Sequence, residues 1–130
     1  MTPVLPAAAA ALALCLSSGA AKADDLLEEY VATIGPKDLY NSKGARLTAP
    51  WQVLRQDRAN FHRFGRRDPG DRGDRFFASA ENRGAMEQMV MRGSIDPAAA
   101  RDLMAGGATV VVRIWGQNGR GDRVTVGVSR

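Results

Sequence analysis

The stretch TVVVRIWGQNGRGDRVTVGVS, Thr109 to Ser129, decides how the chain is read. Val124, Val126 and Val128 alternate with Thr125 and Gly127, the period of a strand with one buried face. Thr109–Trp115 is β-branched and aromatic, and its unbroken Val110, Val111 and Val112 predict a strand covered on both sides. Between them Gly116–Asp122 (GQNGRGD) is rich in turn formers, so the two strands are expected to close the chain as a hairpin.

Upstream of this hairpin the period changes to helical. Asp96-Pro97 places a capping side chain before a proline suited to the first helical position, and Leu103 and Met104 anchor a short helix that ends at Gly106-Gly107. Ser79 and Glu81 open a further helix with Ala85, Met86, Met89 and Val90 as its buried stripe and Gly93 at its close. Trp51–Phe64 gathers Trp51, Val53, Leu54, Phe61 and Phe64 on one apolar face before Gly65 stops it. Arg66–Arg75 (RRDPGDRGDR), all charge, glycine and proline, reads as a solvated link that leads Phe76 and Phe77 into the core.

At the front, Tyr30–Ile34 (YVATI) reads as a strand cut off by Gly35-Pro36. Asp38–Leu47 reads as a turn or small hairpin around Asn41-Ser42-Lys43-Gly44, and Asp24–Glu29 as a helical turn or loose arm. The expected fold is α+β: a small antiparallel sheet, from an early strand or hairpin and the C-terminal hairpin, with about three helices packed on one face.

Residues 1–23 stand apart from this pattern. An apolar run from Val4 to Leu16 is followed by Ser17, Ser18 and Gly19 and ends in Ala21-Lys22-Ala23, the arrangement of a cleavable secretory signal peptide. The run is too short to span a bilayer, so no transmembrane segment is expected in the mature chain. Cleavage after Ala23 leaves residues 24–130 as one small α+β domain that is periplasmic or secreted. Cys15 leaves with the leader, so packing alone must hold the domain, and thiol chemistry is excluded from it.

The formal charge is +4, and 15 of the 18 basic residues are Arg. That is mild basicity, short of a nucleic-acid-binding arm, but Arg suits planar anions better than Lys does. Along the Trp51–Phe64 helix, Trp51, Arg55, Arg58 and His62 stand at i, i+4, i+7 and i+11, a stripe with the chemistry to hold an anionic ligand or a partner. Asp57 falls in the middle of the apolar face, where a carboxylate needs a partner; the expectation is a structural ion pair with an arginine such as Arg83.

No catalytic residue is assigned. One histidine and no cysteine in the mature chain make a zinc site unexpected, and no G-x-S-x-G turn presents a nucleophile. Asp68, Asp71 and Asp74 lack the spacing of a calcium loop, so neither metal nor cofactor is expected. Arg-Gly-Asp occurs twice, at Arg72-Gly73-Asp74 and Arg120-Gly121-Asp122, and the second copy is placed by the pattern at the hairpin tip. Met91 falls on the outer face of its helix.

The sequence thus points to an exported, non-enzymatic binding or accessory domain of the cell envelope that recognises an anionic polymer or an envelope protein. The alternative is a small hydrolase acting on a phosphate- or sugar-containing envelope polymer, with Asp57 and His62 as acid and base. A third reading has the Val-rich last strand pairing with a partner's sheet edge.

Overall fold

The structure, a computed structural model, describes residues 24–67 and 70–129. The expected leader, the Asp68 member of the aspartate series and Arg130 lie outside them. The chain runs β1 (Asp25–Thr33), α1 (Pro50–His62), α2 (Ala80–Gly84), α3 (Met86–Arg92), β2 (Ser94–Ile95), α4 (Pro97–Ala105), β3 (Thr109–Gln117) and β4 (Arg120–Val128). Short 3₁₀ turns occupy Pro36–Leu39 and Phe76–Ala78.

The fold is α+β, with a four-stranded sheet in the order β1-β3-β4-β2. β1 and β4 both run antiparallel to β3, so Tyr30, Val112 and Val126 form one row across the sheet. Tyr30, Ala32, Val110, Val112, Ile114, Val124 and Val126 point to the helices and are buried with Val53, Leu54, Phe77, Met86, Met89, Ala99 and Leu103. The other face carries Val31, Val111 and Gly127 in a partly exposed row. Val111 is therefore not covered on both sides: among the described residues no element packs over the strand on that face, and alternation, not the continuous valine run, decides burial.

The sheet is mixed rather than purely antiparallel: β2 adds two residues parallel to β4, at Ser94↔Thr125 and Ile95↔Val126. Gly93 makes this approach possible, since a Cβ there would lie 1.6 Å from the Val124 carbonyl oxygen. β2 thus covers part of the β4 edge, which weakens the third reading. At the hairpin, Asn118 and Gly119 have φ of 53° and 75°, the two left-handed residues of a tight turn whose twist matches the strands. The strands run right up to it, so Arg120-Gly121-Asp122 lies within β4 and not at the tip.

Two helices replace the one expected over Ser79–Gly93. The Ala85 N–H turns back to the Asn82 carbonyl (3.1 Å), a tighter turn that separates α2 from α3 and gives four α-helices among the described residues. Ser79 and Asp96 cap α2 and α4 through Asn82 N–H and Ala98 N–H, as their sequence positions imply. Phe64 lies beyond the end of α1 and is 47% exposed, so it is not part of the apolar face.

Asp25–Glu29 is strand, not helix or arm. Pairing with β3 overrides its acidic, leucine-containing composition, and Glu29 accepts from Arg113 (2.7 Å) across the two strands. Nor is the segment after residue 70 a solvated link. Arg72 and Val31 exchange backbone hydrogen bonds (2.8 and 3.3 Å), and Thr33 N–H donates to Asp71 Oδ1 (2.8 Å). The Glu28 carboxylate accepts from the backbone of Arg75 and Phe76. This segment lies along the outer edge of β1 and blunts it, as exposed sheet edges require. No helix among the described residues is long and apolar enough to cross a membrane.

Candidate functional site

The expected stripe on α1 divides into two unlike halves. Trp51 packs against the core, and Arg55 stacks over its ring (4.8 Å to the centroid) with its own side chain in solvent. Arg58 is 0% exposed. Its guanidinium lies over the Tyr30 ring (4.0 Å) and the Phe61 ring (4.5 Å), donates from Nε to Asp57 Oδ2 (2.8 Å) and from Nη1 to Asp74 Oδ1 (2.8 Å). His62 follows it inward, with Nε2 2.9 Å from the same Asp74 oxygen. A carboxylate accepts, so that nitrogen carries the proton. Four residues in line by periodicity are therefore not one surface: Arg58 sits inside the domain, where Asp57 and Asp74 supply the partners a buried cation requires.

Asp57 is buried in the apolar face, as its position implies, but its partner is the adjacent Arg58. Arg83 instead donates to the Phe77 and Ala78 carbonyls (2.9 and 3.0 Å). Two carboxylates face one guanidinium in this cluster. Burial pushes the Asp57 carboxyl up to about 7 against the pull of Arg58, and the nearby Asp38 and Asp71 carboxylates add to the rise. Burial opposes the charge on Arg58, but Tyr30, Asp57 and the bonds to both carboxylates hold its pKa above the ordinary guanidinium value. Burial also raises the Tyr30 hydroxyl far above its usual range, so it stays neutral. Arg58 Nη2 and the Tyr30 hydroxyl have no hydrogen-bond partner among the described residues; ring faces surround the guanidinium instead.

The first Arg-Gly-Asp copy feeds this cluster. Asp74 has no exposed side-chain area, and its second oxygen caps the 3₁₀ turn through Phe77 N–H (2.7 Å). In the second copy, Asp122 pairs with Arg92 (3.3 Å), and a Cβ at Gly121 would meet the Phe76 ring at 2.4 Å. Neither triplet is presented as an adhesion loop. Met91 is 76% exposed on the outer side of α3.

A concave site lies on another side of α1. Gly35-Pro36 starts the 3₁₀ turn, and the following loop folds on itself, with Asn41 N–H to Ala45 O (2.9 Å) and Asn41 Oδ1 accepting from Lys43 and Ala45 N–H. This is the small hairpin expected around Asn41–Gly44. At the far end of α1, Gly65 (φ +64°) lets Arg66 N–H reach the Asn60 carbonyl (2.7 Å) and brings Phe64 and Arg66 round to face the loop. Asn60 ties the two sides together: its amide donates to Asp38 Oδ1 (2.8 Å) and Lys37 O (3.3 Å), and its oxygen accepts from Gln56 (3.0 Å).

The result is two adjoining hollows of about 540 and 400 Å³ that share Pro36, Lys37, Asn60 and Arg66. The larger has Tyr40, Phe64, Gln56, Asn41 and Ser42 on its walls, and the smaller adds Arg67, Gly65 and Asp38. Tyr40 and Phe64 are 45% and 47% exposed. The Asp38 carboxylate is buried and accepts from Gly35 N–H (2.9 Å) and Asn60. Three cations thus border the groove against one carboxylate engaged by the fold. Neither hollow is lined by Asp57, Arg58 or His62. Among the described residues no group of three or more His, Cys, Asp or Glu is placed to hold a metal ion.

The stripe was visible in the sequence because a helix has one period; the groove was not, because it joins residues 36–44 to 56–67 across two loops. Its only sequence signals are the turn residues Gly35-Pro36, Gly44 and Gly65 and the run of arginines after His62. In comparison with known proteins, the chain matches no family model, no curated protein and no solved structure.

Proposed function

We propose that residues 24–130 form an exported, non-enzymatic binding module of the cell envelope, and that its anionic ligand enters the groove beside α1. The leader-like composition of residues 1–23 supports export. The observation that carries the ligand class is the groove itself: a concave surface with Lys37, Arg66 and Arg67 on its rim and two exposed rings in its wall. Such a site attracts an anion over a distance and fixes it by charge-assisted hydrogen bonds.

The hydrolase alternative draws no support from this arrangement. Asp57 has a pKa suited to proton transfer, but it is buried against Arg58 and is no part of the groove, while His62 is bonded to Asp74. Arg55, exposed over the partly buried Trp51 ring on a separate side of the helix, serves as the control surface.

The test is binding of the 24–130 chain to immobilised inorganic polyphosphate at ~50 and ~200 mM salt, where surface charge interactions are weakly and strongly screened. Affinity is expected to fall with salt, and to fall again in Lys37→Ala and Arg66→Ala but not in Arg55→Ala. Salt-independent binding, or a loss confined to Arg55→Ala, refutes the groove as the site. Arg58 is no probe of binding, since its removal disturbs the core.

A further inference from the structure

The two hollows differ in character, and the difference specifies the ligand further. The larger has rings on its walls, Tyr40 and Phe64, with uncharged hydrogen-bonding groups between them. Gln56 donates one amide hydrogen to Asn60 and keeps its carbonyl oxygen as an acceptor. Asn41 uses its carbonyl oxygen within its loop and keeps its amide hydrogens as donors, and Ser42 offers either role. Lys37 and Arg66 line both hollows, Arg67 joins them in the smaller beside Asp38, and Arg66 lies 5.6 Å from the Phe64 ring centroid, where the two halves meet.

A simple anion uses only the charged half. A neutral apolar ligand leaves the cations and amides without partners, which costs affinity. A ligand that fills both halves has a ring with an apolar C–H face, hydroxyl groups around its edge and an acid attached to it. From this juxtaposition we infer that the groove recognises acidic sugar residues of a glycan, with the sugar ring stacked between Tyr40 and Phe64 and its carboxylate at Lys37, Arg66 and Arg67. The inference rests on the groove being the anion site proposed above. Arg supplies the planar fork a carboxylate fits.

Calorimetric titration of the 24–130 chain with three probes tests it: hexagalacturonate, neutral maltohexaose and inorganic polyphosphate. Hexagalacturonate is expected to bind at least tenfold more tightly than maltohexaose. Tyr40→Ala and Phe64→Ala, both at exposed positions, are expected to weaken hexagalacturonate at least tenfold and polyphosphate less than threefold. Lys37→Ala and Arg66→Ala are expected to weaken both acidic probes. Equal binding of the acidic and neutral hexasaccharides overturns the inference. Polyphosphate binding that depends on Lys37 and Arg66, with hexagalacturonate indifferent to Tyr40 and Phe64, overturns it while leaving the anion site standing. Binding of neither acidic probe overturns both.

Discussion

Replacing Arg58 with Met tests the buried cluster most severely. Methionine keeps much of the stem between the Tyr30 and Phe61 rings and deletes the charge. What remains is two carboxylates, Asp57 and Asp74, with 3% and 0% of their side chains exposed and the cation 2.8 Å from each removed. Breaking a buried pair by removing one partner costs about 3–5 kcal/mol. Asp57 is left without its partner while Asp74 keeps its bonds from His62 and the Phe77 N–H, which puts Arg58→Met within that range, a large share of the ~5–15 kcal/mol that holds a typical domain. Urea unfolding followed by Trp51 and Trp115 fluorescence at pH 7.5 measures it directly. The deficit must shrink at pH 5, because protonating Asp57 removes its unpaired charge. Adding Asp74→Asn to Arg58→Met must restore more than ~1 kcal/mol relative to the sum of the single changes, as expected for groups in contact. A loss below ~1 kcal/mol at pH 7.5, or a deficit equal at both pH values, refutes the claim that Arg58 is held by charge rather than by packing.

The remaining predictions concern neighbouring features. Because Asp57 holds its proton up to about pH 7 when folded, against 3.8 as its ordinary value, its contribution to stability is complete below pH ~4 and is lost as pH rises through 7. Asp57→Asn should flatten this decline by a few kcal/mol at most, at about 1.4 kcal/mol per pH unit; urea melts at pH 5 and 8 that decline equally in both proteins count against it. Asp74→Asn should release the segment along β1, so that hydrogen exchange at Arg72 and Phe77 rises more than at the β3 and β4 amides; a uniform rise argues against a local anchor. Gly93→Ala should lower stability by more than ~3 kcal/mol in thermal melts, because the added methyl meets the Val124 backbone and β2 must move away from β4; a near-neutral effect means that the β2–β4 pairing is dispensable.

Much of the fold is legible in local sequence. The alternation of Val124, Val126 and Val128, a turn within Gly116–Asp122 and the Asp96-Pro97 start each act through neighbouring residues, and each is found in the structure, the turn narrowed to Asn118-Gly119. The failures share another cause. Asp25–Glu29 is a strand because β3 is beside it, and Val111 faces outward because no element among the described residues packs on that side. The segment from Asp71 to Phe77 is ordered by partners about 40 or more positions away: Glu28, Val31 and Thr33.

The candidate sites divide in the same way. A helical wheel puts Trp51, Arg55, Arg58 and His62 in line and Asp57 inside, and α1 forms as that wheel requires. It assigns no partners, and the inward turn of Arg58 depends on Asp74 arriving from 16 residues away. By itself, the sequence determined the amphipathic helix, the closing hairpin and a carboxylate that must be paired, because backbone period and turn chemistry are local. Only the tertiary structure decided that Arg58 pairs with Asp57 and Asp74 in the interior and that Tyr40, Phe64, Lys37 and Arg66 share one groove. Ion pairs and concave surfaces are made between segments, and their geometry exists only once the chain has brought those segments together.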